Sequence, residues 1–580
     1  MKKTASIAEL RHRYLSGSAS PSRVVRAIFA RIREEGMRPV WISLADEGRA
    51  VAQADHADLS LPLGGIPFAV KDNFDVAGMA TTAGCPSFAF DPARTAPAVQ
   101  RLVDAGAILI GKTNMDQFAT GLVGVRSPYG ACSSVFDPRY ISGGSSSGSA
   151  VALAKGLCAF SLGTDTAGSG RVPAAFNDLI GLKPSRGLIS TTGVVPACRS
   201  LDCVSIFAAT ASDAESVWRV ACGFDAEDPY SRKFTPGAGA SPWLPGSFRF
   251  GIPSDDQLEL FGDEEAETLY RKAIERLAAI GGTPVTIDFK VFRDAADLLY
   301  SGPWVAERFA AVGDFLLGDP PDANPTVRNI ILGGRKYSAT DVFRSMYRLE
   351  ELRRKAEEQW PLMDVLFLPT TGTTYTLAEV EADPVRLNTN LGIYTNFVNL
   401  MDLAAVAVPA GFRTQGMPFG VSIIGPAFSD AALLDLADRF LGNAGVKPPS
   451  PVPPGCVLLA VAGAHLSGQP LNHQLTDRGA RLVRSCRTAS EYRLYALPDS
   501  EPPKPALARD PSGTEIEIEV WAVPENQFGS FVAAVPPPLA IGSVRLDDGH
   551  WVKGFVCEPH AIPGAIEITQ FGGWKNYCLR

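Results

Sequence analysis

Residues 442–455, GNAGVKPPSPVPPG, hold five prolines in fourteen positions. Proline lacks an amide hydrogen and has a fixed φ, so such a run can continue neither a helix nor an inner strand. It predicts an extended linker, and it divides the chain into one unit over residues 1–441 and another over 456–580. The total of 580 residues also exceeds what a single hydrophobic core usually serves, so the two sides are read separately.

Upstream of the seam, helical periods such as VVRAIFARIREEG and ETLYRKAIERLAAIGG alternate with short apolar runs such as AILIGKT, DVLFLPTT and AAVAVPAG. This alternation predicts an α/β unit on a mixed, twisted sheet covered by helices. Downstream, TEIEIEVWAVP, FVAAVPPPLAIGSVRL and HWVKGFVCEP carry strand character, which predicts a small, β-rich α+β unit.

Several function classes are excluded by composition. The net charge is -8 and the sequence shows no basic stripe to neutralise phosphates, so no nucleic acid partner is expected. Glu9, Arg11, His12 and Arg13 interrupt any apolar core of a signal sequence. Elsewhere no apolar run reaches the ~20 residues that span a bilayer, so a soluble, cytoplasmic chain without membrane contact is expected. Ten cysteines without a CxxC pair, and not clustered with histidines, predict reduced thiols and no metal site. Neither a P-loop ending nor a GxGxxG fingerprint is present, and no cofactor is expected.

The chemistry concentrates in two small-residue stretches. GTDTAGSGRVP, residues 163–173, follows a strand-like run, and its small residues allow several amides to converge on an oxyanion; taken alone, it suits an ordinary turn equally well. SGGSSSGSAVALAKG, residues 142–156, is a serine-rich loop opening a helix of small residues. A serine nucleophile needs a base, and histidine is the usual one. No histidine lies between residues 57 and 464, so only His12, His56 or the second unit could supply it. Lys71, ending the apolar run in GGIPFAVKDNFDV, is the other available base, since burial lowers a lysine pKa by several units. Strand alternation sends Asp72 to the opposite face.

Together, PFAVKDNFDV, GGSSSGSA and LGTDTAGSGRVPAAFNDLIGLKPS, in this order, resemble the amidase signature family over roughly residues 20–440. Ser145 and Ser169 stand 24 positions apart, which is the family's spacing. The resemblance implies a catalytic set of Lys71, Ser145 and Ser169, with a cis Gly144–Ser145 peptide. It also implies an oxyanion hole formed by the amides of Thr166, Ala167, Gly168 and Ser169.

Where many members read GSSGG and carry a second glycine before the nucleophile, this chain reads GSSSG and TAGSG. Those variants, LLYSGPWVAERF at 298–309, NTNLGIYTNFVNLMDLAAVAVPAGF at 388–412, and the appended domain with VAGAHLSGQPLNHQL and ITQFGGWKNY are similar to the family's allophanate-hydrolysing branch. That branch implies a small-molecule substrate, allophanate, selected by Tyr300 and Arg308, because a guanidinium can clamp a carboxylate bidentately. It further implies a C-terminal domain with a gamma-glutamylcyclotransferase-type fold that promotes decarboxylation, with His465 and Glu558 as candidate residues. A homodimer and functional coupling to a biotin-dependent urea carboxylase are implied as well. Two other readings remain open. One is a broad amidase or the catalytic subunit of a tRNA-dependent amidotransferase, against which the extra domain argues. The other is a binding module without activity, against which the three filled triad positions argue.

Overall fold

The computed structural model describes residues 5–233, 247–442, 455–498, 501–547 and 551–578. The chain divides into two compact units, Met1–Ala444 and Gly445–Arg580. Most of the expected linker, residues 443–454, lies outside the described residues.

The first unit is built on eleven strands: β1 Trp41–Leu44, β2 Pro67–Lys71, β3 Ile108–Thr113, β4 Phe160–Asp165, β5 Ile180–Lys183, β6 Cys203–Ala208, β7 Phe248–Pro253, β8 Gly282–Ile287, β9 Val365–Pro369, β10 Leu403–Phe412 and β11 Pro418–Pro426. They form one mixed sheet in the order β1-β3-β2-β4-β6-β5-β10-β11-β9-β7-β8. β2 runs parallel to both β3 and β4, whereas β6 returns antiparallel to β4. Every residue of β2, β4 and β6 is buried, because helices cover both faces at the centre; the outer strand β8 is mostly open. The three apolar runs read as strands in the sequence fall within β3, β9 and β10, and the two helical periods fall in the helices Pro21–Glu35 and Glu264–Ala279.

Alternation along the central strands separates two cores. Phe68, Val70, Phe160, Leu162 and Ile206 face one way, with Phe68 and Phe160 stacked at 5.2 Å. Ala69, Phe207 and Ala407 face the other, against Val25, Phe29 and Ile32 of one helix and Ala150, Val151 and Leu153 of the helix Ser147–Ala154. A third cluster, around Phe289, Phe292, Leu299 and Phe397, receives Ala167 from the segment after β4.

The second unit has a five-stranded and a three-stranded sheet. Its strands are β12 Cys456–Val461, β13 Arg481–Arg487, β14 Tyr492–Ala496, β15 Pro505–Arg509, β16 Glu517–Pro524, β17 Leu539–Arg545, β18 Trp551–Cys557 and β19 Ile566–Glu567. They are ordered β13-β16-β12-β18-β17 and β15-β14-β19. One strand reading is corrected: in FVAAVPPPLAIGSVRL, Phe531–Ala533 closes the helix Glu525–Ala533, and only Leu539–Arg545 is strand. The three prolines between them supply no ladder donors, so the strand starts after them.

Among the described residues, no helix is long and apolar enough to cross a membrane, and no group of histidine, cysteine, aspartate or glutamate side chains could hold a metal ion. The ten cysteines are all reduced thiols; five are buried, and Cys578 is exposed.

The helix Ser147–Ala154 is made of small residues because it lies close to its neighbours. A Cβ on Gly148 would sit 2.5 Å from Val40 O and 2.6 Å from Asn114 N. Alanine is the better helix former by about 1 kcal/mol, yet the clash costs about 1–3 kcal/mol. We therefore expect Gly148→Ala to lower the urea midpoint; a raised midpoint would show that propensity outweighs packing at this contact.

Candidate active site

Parallel pairing of β2 with β4 sets Val70 beside Leu162, so the strands end with Lys71 close to Thr164. Lys71 Nζ donates to Thr164 Oγ1 at 2.7 Å and to Ser145 Oγ at 2.8 Å. Lys71 is fully buried, and that burial pushes its pKa down to about 7, although Asp116, Asp202 and Asp165 pull in the opposite direction. Asp72 does not neutralise it. Its carboxylate accepts from Thr82 and pairs at 3.4 Å with the buried Lys112.

Ser145 follows a cis Gly144–Ser145 peptide, and its carbonyl accepts from the Asp116 amide at 3.1 Å. Only glycine fits at 144, where a Cβ would collide with Asp116 Oδ2. Asp116 is itself occupied by the amides of Val123, Gly124 and Arg126. It therefore ties the loop around residue 124 to the one carrying Ser145.

The segment after β4 is folded around the carboxylate of Asp165. That group accepts from the amides of Gly168 at 3.0 Å and Gly170 at 3.1 Å, and from Arg171 through Nε and a terminal nitrogen, both at 2.9 Å. Burial works against the charge of Asp165, yet Arg171 beside it holds its carboxyl below the usual range. Gly168 adopts a φ of 130°, and a Cβ there would meet Thr395 Oγ1 at 2.5 Å. Ser169 is only 2% exposed. The amides of Thr166, Ala167 and Ser169 make no hydrogen bond among the described residues, whereas that of Gly168 is spent on Asp165. Of the four amides expected to line an oxyanion hole, that of Gly168 is therefore the one already used to hold the turn.

Thr166 donates to the buried Asp202, whose carboxyl is raised to about 6 by burial and which also accepts from the amides of Ala197 and Cys198. Asn399 bonds Asp165 O at 2.7 Å and Leu201 O at 3.0 Å, bracing this network from another element.

Tyr300 and Arg308 stand on two helices, Lys290–Ser301 and Trp304–Leu317, that turn a corner at Gly302–Pro303. Arg308 is 1% exposed, so it is not the surface charge that its helical context alone would suggest. It donates to Tyr300 Oη at 3.1 Å and Thr120 Oγ1 at 3.0 Å, and its Nε has no partner among the described residues. Both upstream histidines are exposed and lie on other elements, His12 on the helix Ile7–Leu15 and His56 at the C-cap of the helix Glu47–Asp55.

In the second unit, His465 lines a cavity of about 240 Å³ with Gln474, Lys504, Phe531 and Phe555. Its Nε2 bonds Gln474 Oε1 at 3.0 Å, its ring stacks on Phe555 at 5.0 Å, and burial lowers its pKa. Glu558 does not line this cavity. It is exposed and pairs with His560 at 3.4 Å.

Sequence reading missed Thr164, Asp165, Arg171, Asp116, Asp202, Asn399 and Gln474. Asp165 and Arg171 lie inside the quoted stretch GTDTAGSGRVP, six positions apart, and an acid and a base around a glycine-rich turn could have been read as its clamp. Asn399 acts 234 positions from Asp165, with no local signal.

The family model described as Amidase matches residues 23–434, and that described as Allophanate hydrolase C-terminal domain matches residues 457–579. A urea amidolyase of Lachancea kluyveri is 46% identical over 573 residues, covering 93% of this chain and 31% of that protein. A second urea amidolyase, from Saccharomyces cerevisiae, is 43% identical over 597 residues, covering 97% of this chain and 32% of that protein. The chain therefore spans about a third of the length of such curated relatives. Among solved structures, the allophanate hydrolase of Kluyveromyces lactis superposes with a TM-score of 0.82 at 44% identity, covering 99% of both chains.

The clamp generates a stability prediction. Asp165→Ala leaves the buried Arg171 guanidinium without its carboxylate, which costs about 3–5 kcal/mol when a buried ion pair loses one member. Equilibrium unfolding should show that loss; a change below about 1 kcal/mol would mean that the turn stands without the pair.

Proposed function

Because this chain belongs to the amidase family and carries an allophanate hydrolase C-terminal domain, we propose that it hydrolyses allophanate to ammonia and carbon dioxide. The observation that carries this reading is the buried Lys71 amine, bonded among the described residues to the hydroxyls of Thr164 and Ser145 alone, with its pKa depressed by burial to about 7. With a pKa of about 7, roughly half of the amines are neutral at pH 7, and that fraction can take a proton from serine.

In this mechanism Ser169 Oγ attacks the carbonyl carbon of the terminal amide. Its proton passes through Ser145 to Lys71, which returns it to the departing ammonia. The carbonyl oxygen, negative in the tetrahedral state, faces the free amides of Thr166, Ala167 and Ser169, and each such donor can supply ~2.7–4 kcal/mol. Water then cleaves the acyl-enzyme over the same relay and releases N-carboxycarbamate. Arg308, with Tyr300 beside it, holds the carboxylate of the substrate.

N-carboxycarbamate must still lose carbon dioxide, leaving its bonding electrons on nitrogen to be protonated. We assign that step to the second unit, with His465 in its largely apolar cavity carrying the proton; the resulting carbamate decomposes to ammonia and carbon dioxide. A homodimer, a cytoplasmic setting that suits reduced thiols, and a substrate supplied by a biotin-dependent urea carboxylase complete the proposal. The match to urea amidolyases, of which this chain spans about a third, supports the last.

Ser169→Ala, Ser145→Ala and Lys71→Ala should each lower turnover of allophanate by about a thousandfold or more while the proteins remain folded; wild-type turnover in any of them overturns the relay. Only the neutral amine accepts a proton, so kcat/KM should fall as pH drops below about 7 and level off above it. A profile flat from pH 5 to 9, on the order of the range that a lysine depressed this far must titrate across, would exclude Lys71 as the base. His465→Ala should keep amide cleavage but release ammonia from only one of the two allophanate nitrogens; an unchanged yield removes His465 from the second step.

A further inference from the structure

The groups assigned to catalysis are all closed off: Lys71 and Ser145 are fully buried, and Ser169 and Arg308 are 2% and 1% exposed. A substrate therefore needs a way in. A cavity of about 300 Å³ adjoins this group at Tyr300, the hydrogen-bond partner of Arg308, and is lined by Arg126, Tyr300, Asn329, Lys336, Asn388 and Thr389 among others. Tyr300 faces both sides, since it lines this cavity and receives the hydrogen bond from Arg308.

The charge of the lining is one-sided. It includes two cations and no carboxylate, in a chain whose net charge is -8. Arg126 is 2% exposed, donates to the carbonyls of Thr120 and Pro384, and has an Nε without a partner among the described residues. Asp116, whose field reaches Arg126, is engaged by three loop amides. Lys336 is exposed, rests over the Tyr337 ring at 4.9 Å, and forms no ion pair among the described residues. Lys336, Arg126 and Arg308 thus form a cationic series running from the surface to the buried site.

We propose that this cavity is the approach channel for a carboxylated amide, and that Lys336 and Arg126 draw the anion inward and discriminate against uncharged amides before the substrate meets Arg308. A cleft lined by one sign of charge focuses the field and raises the on-rate of an oppositely charged substrate. The inference rests on the reading of the chain as a hydrolase of a carboxylate-bearing amide, and it adds the residues that govern encounter.

The test uses the full-length chain with Lys336→Glu and Lys336→Gln, whose exposed position leaves folding unperturbed. Substrates are allophanate and the pair malonamate and malonamide, which differ in charge and little in size, each at low and high salt. We expect Lys336→Glu to lower kcat/KM for allophanate and malonamate by about three- to tenfold at low salt and to flatten or invert its salt dependence. Lys336→Gln should give a smaller loss, and malonamide should be unaffected by either variant. Equal effects on malonamate and malonamide, or none on either, overturn the channel while leaving the hydrolase reading intact. A wild-type chain whose kcat/KM for malonamide equals that for both anions, or that cleaves no carboxylated amide, overturns the hydrolase reading and the channel with it.

Discussion

Lys71 can serve as a base only if nothing nearby keeps it charged. Three carboxylates lie close enough to raise its affinity for a proton, and each is committed elsewhere. Asp165 is clamped by Arg171 and two amides, Asp116 by three loop amides, and Asp202 by Thr166 and two more amides. What remains in direct contact with the amine is a pair of hydroxyls. Desolvation then prevails over residual attraction, and the surrounding loops take their conformations from the same carboxylates.

This arrangement explains why glycine and serine are so dense here. At Gly144, Gly148, Gly168 and Gly170 the space for a Cβ is already taken, by Asp116, Val40 O, Thr395 and Ser205 respectively. The small residues let backbone segments approach until carboxylates can reach amides on neighbouring loops. A larger residue at any of these four would separate the elements whose contact defines the site. Ala167 is the exception, with a methyl group buried in the apolar cluster beneath the helix Lys290–Ser301.

Much of this was legible in sequence, and the parts that were not share a cause. The strand ending at Lys71 and the helix after the serine-rich loop follow from periodicity and composition, which are local. The amide directions after β4 are not local: whether Gly168 faces a ligand or Asp165 depends on side-chain geometry that residue types leave open. Burial of Arg308 was equally hidden, since its helix reads as amphipathic while the element covering it, around Thr120, comes from a distant part of the chain. In the second unit, Pro536 to Pro538 determined where the strand began, a constraint that apolar alternation had masked. Glu558 stood near a strand end, like many functional residues, but the chain beyond β18 leads it to the surface.

The groups proposed to choose the substrate stand on a different part of the fold from those proposed to cleave it. Lys71 and Ser169 hang from the central strands, but Tyr300 and Arg308 ride on a helical corner turned by Gly302–Pro303, outside the sheet. That corner adds no strand to the central sheet, and it meets the sheet and Ala167 only through an apolar cluster of side chains among the described residues. Selection can therefore alter the proposed substrate-choosing corner while every strand pairing is inherited unchanged, so long as the cluster around Ala167 stays filled.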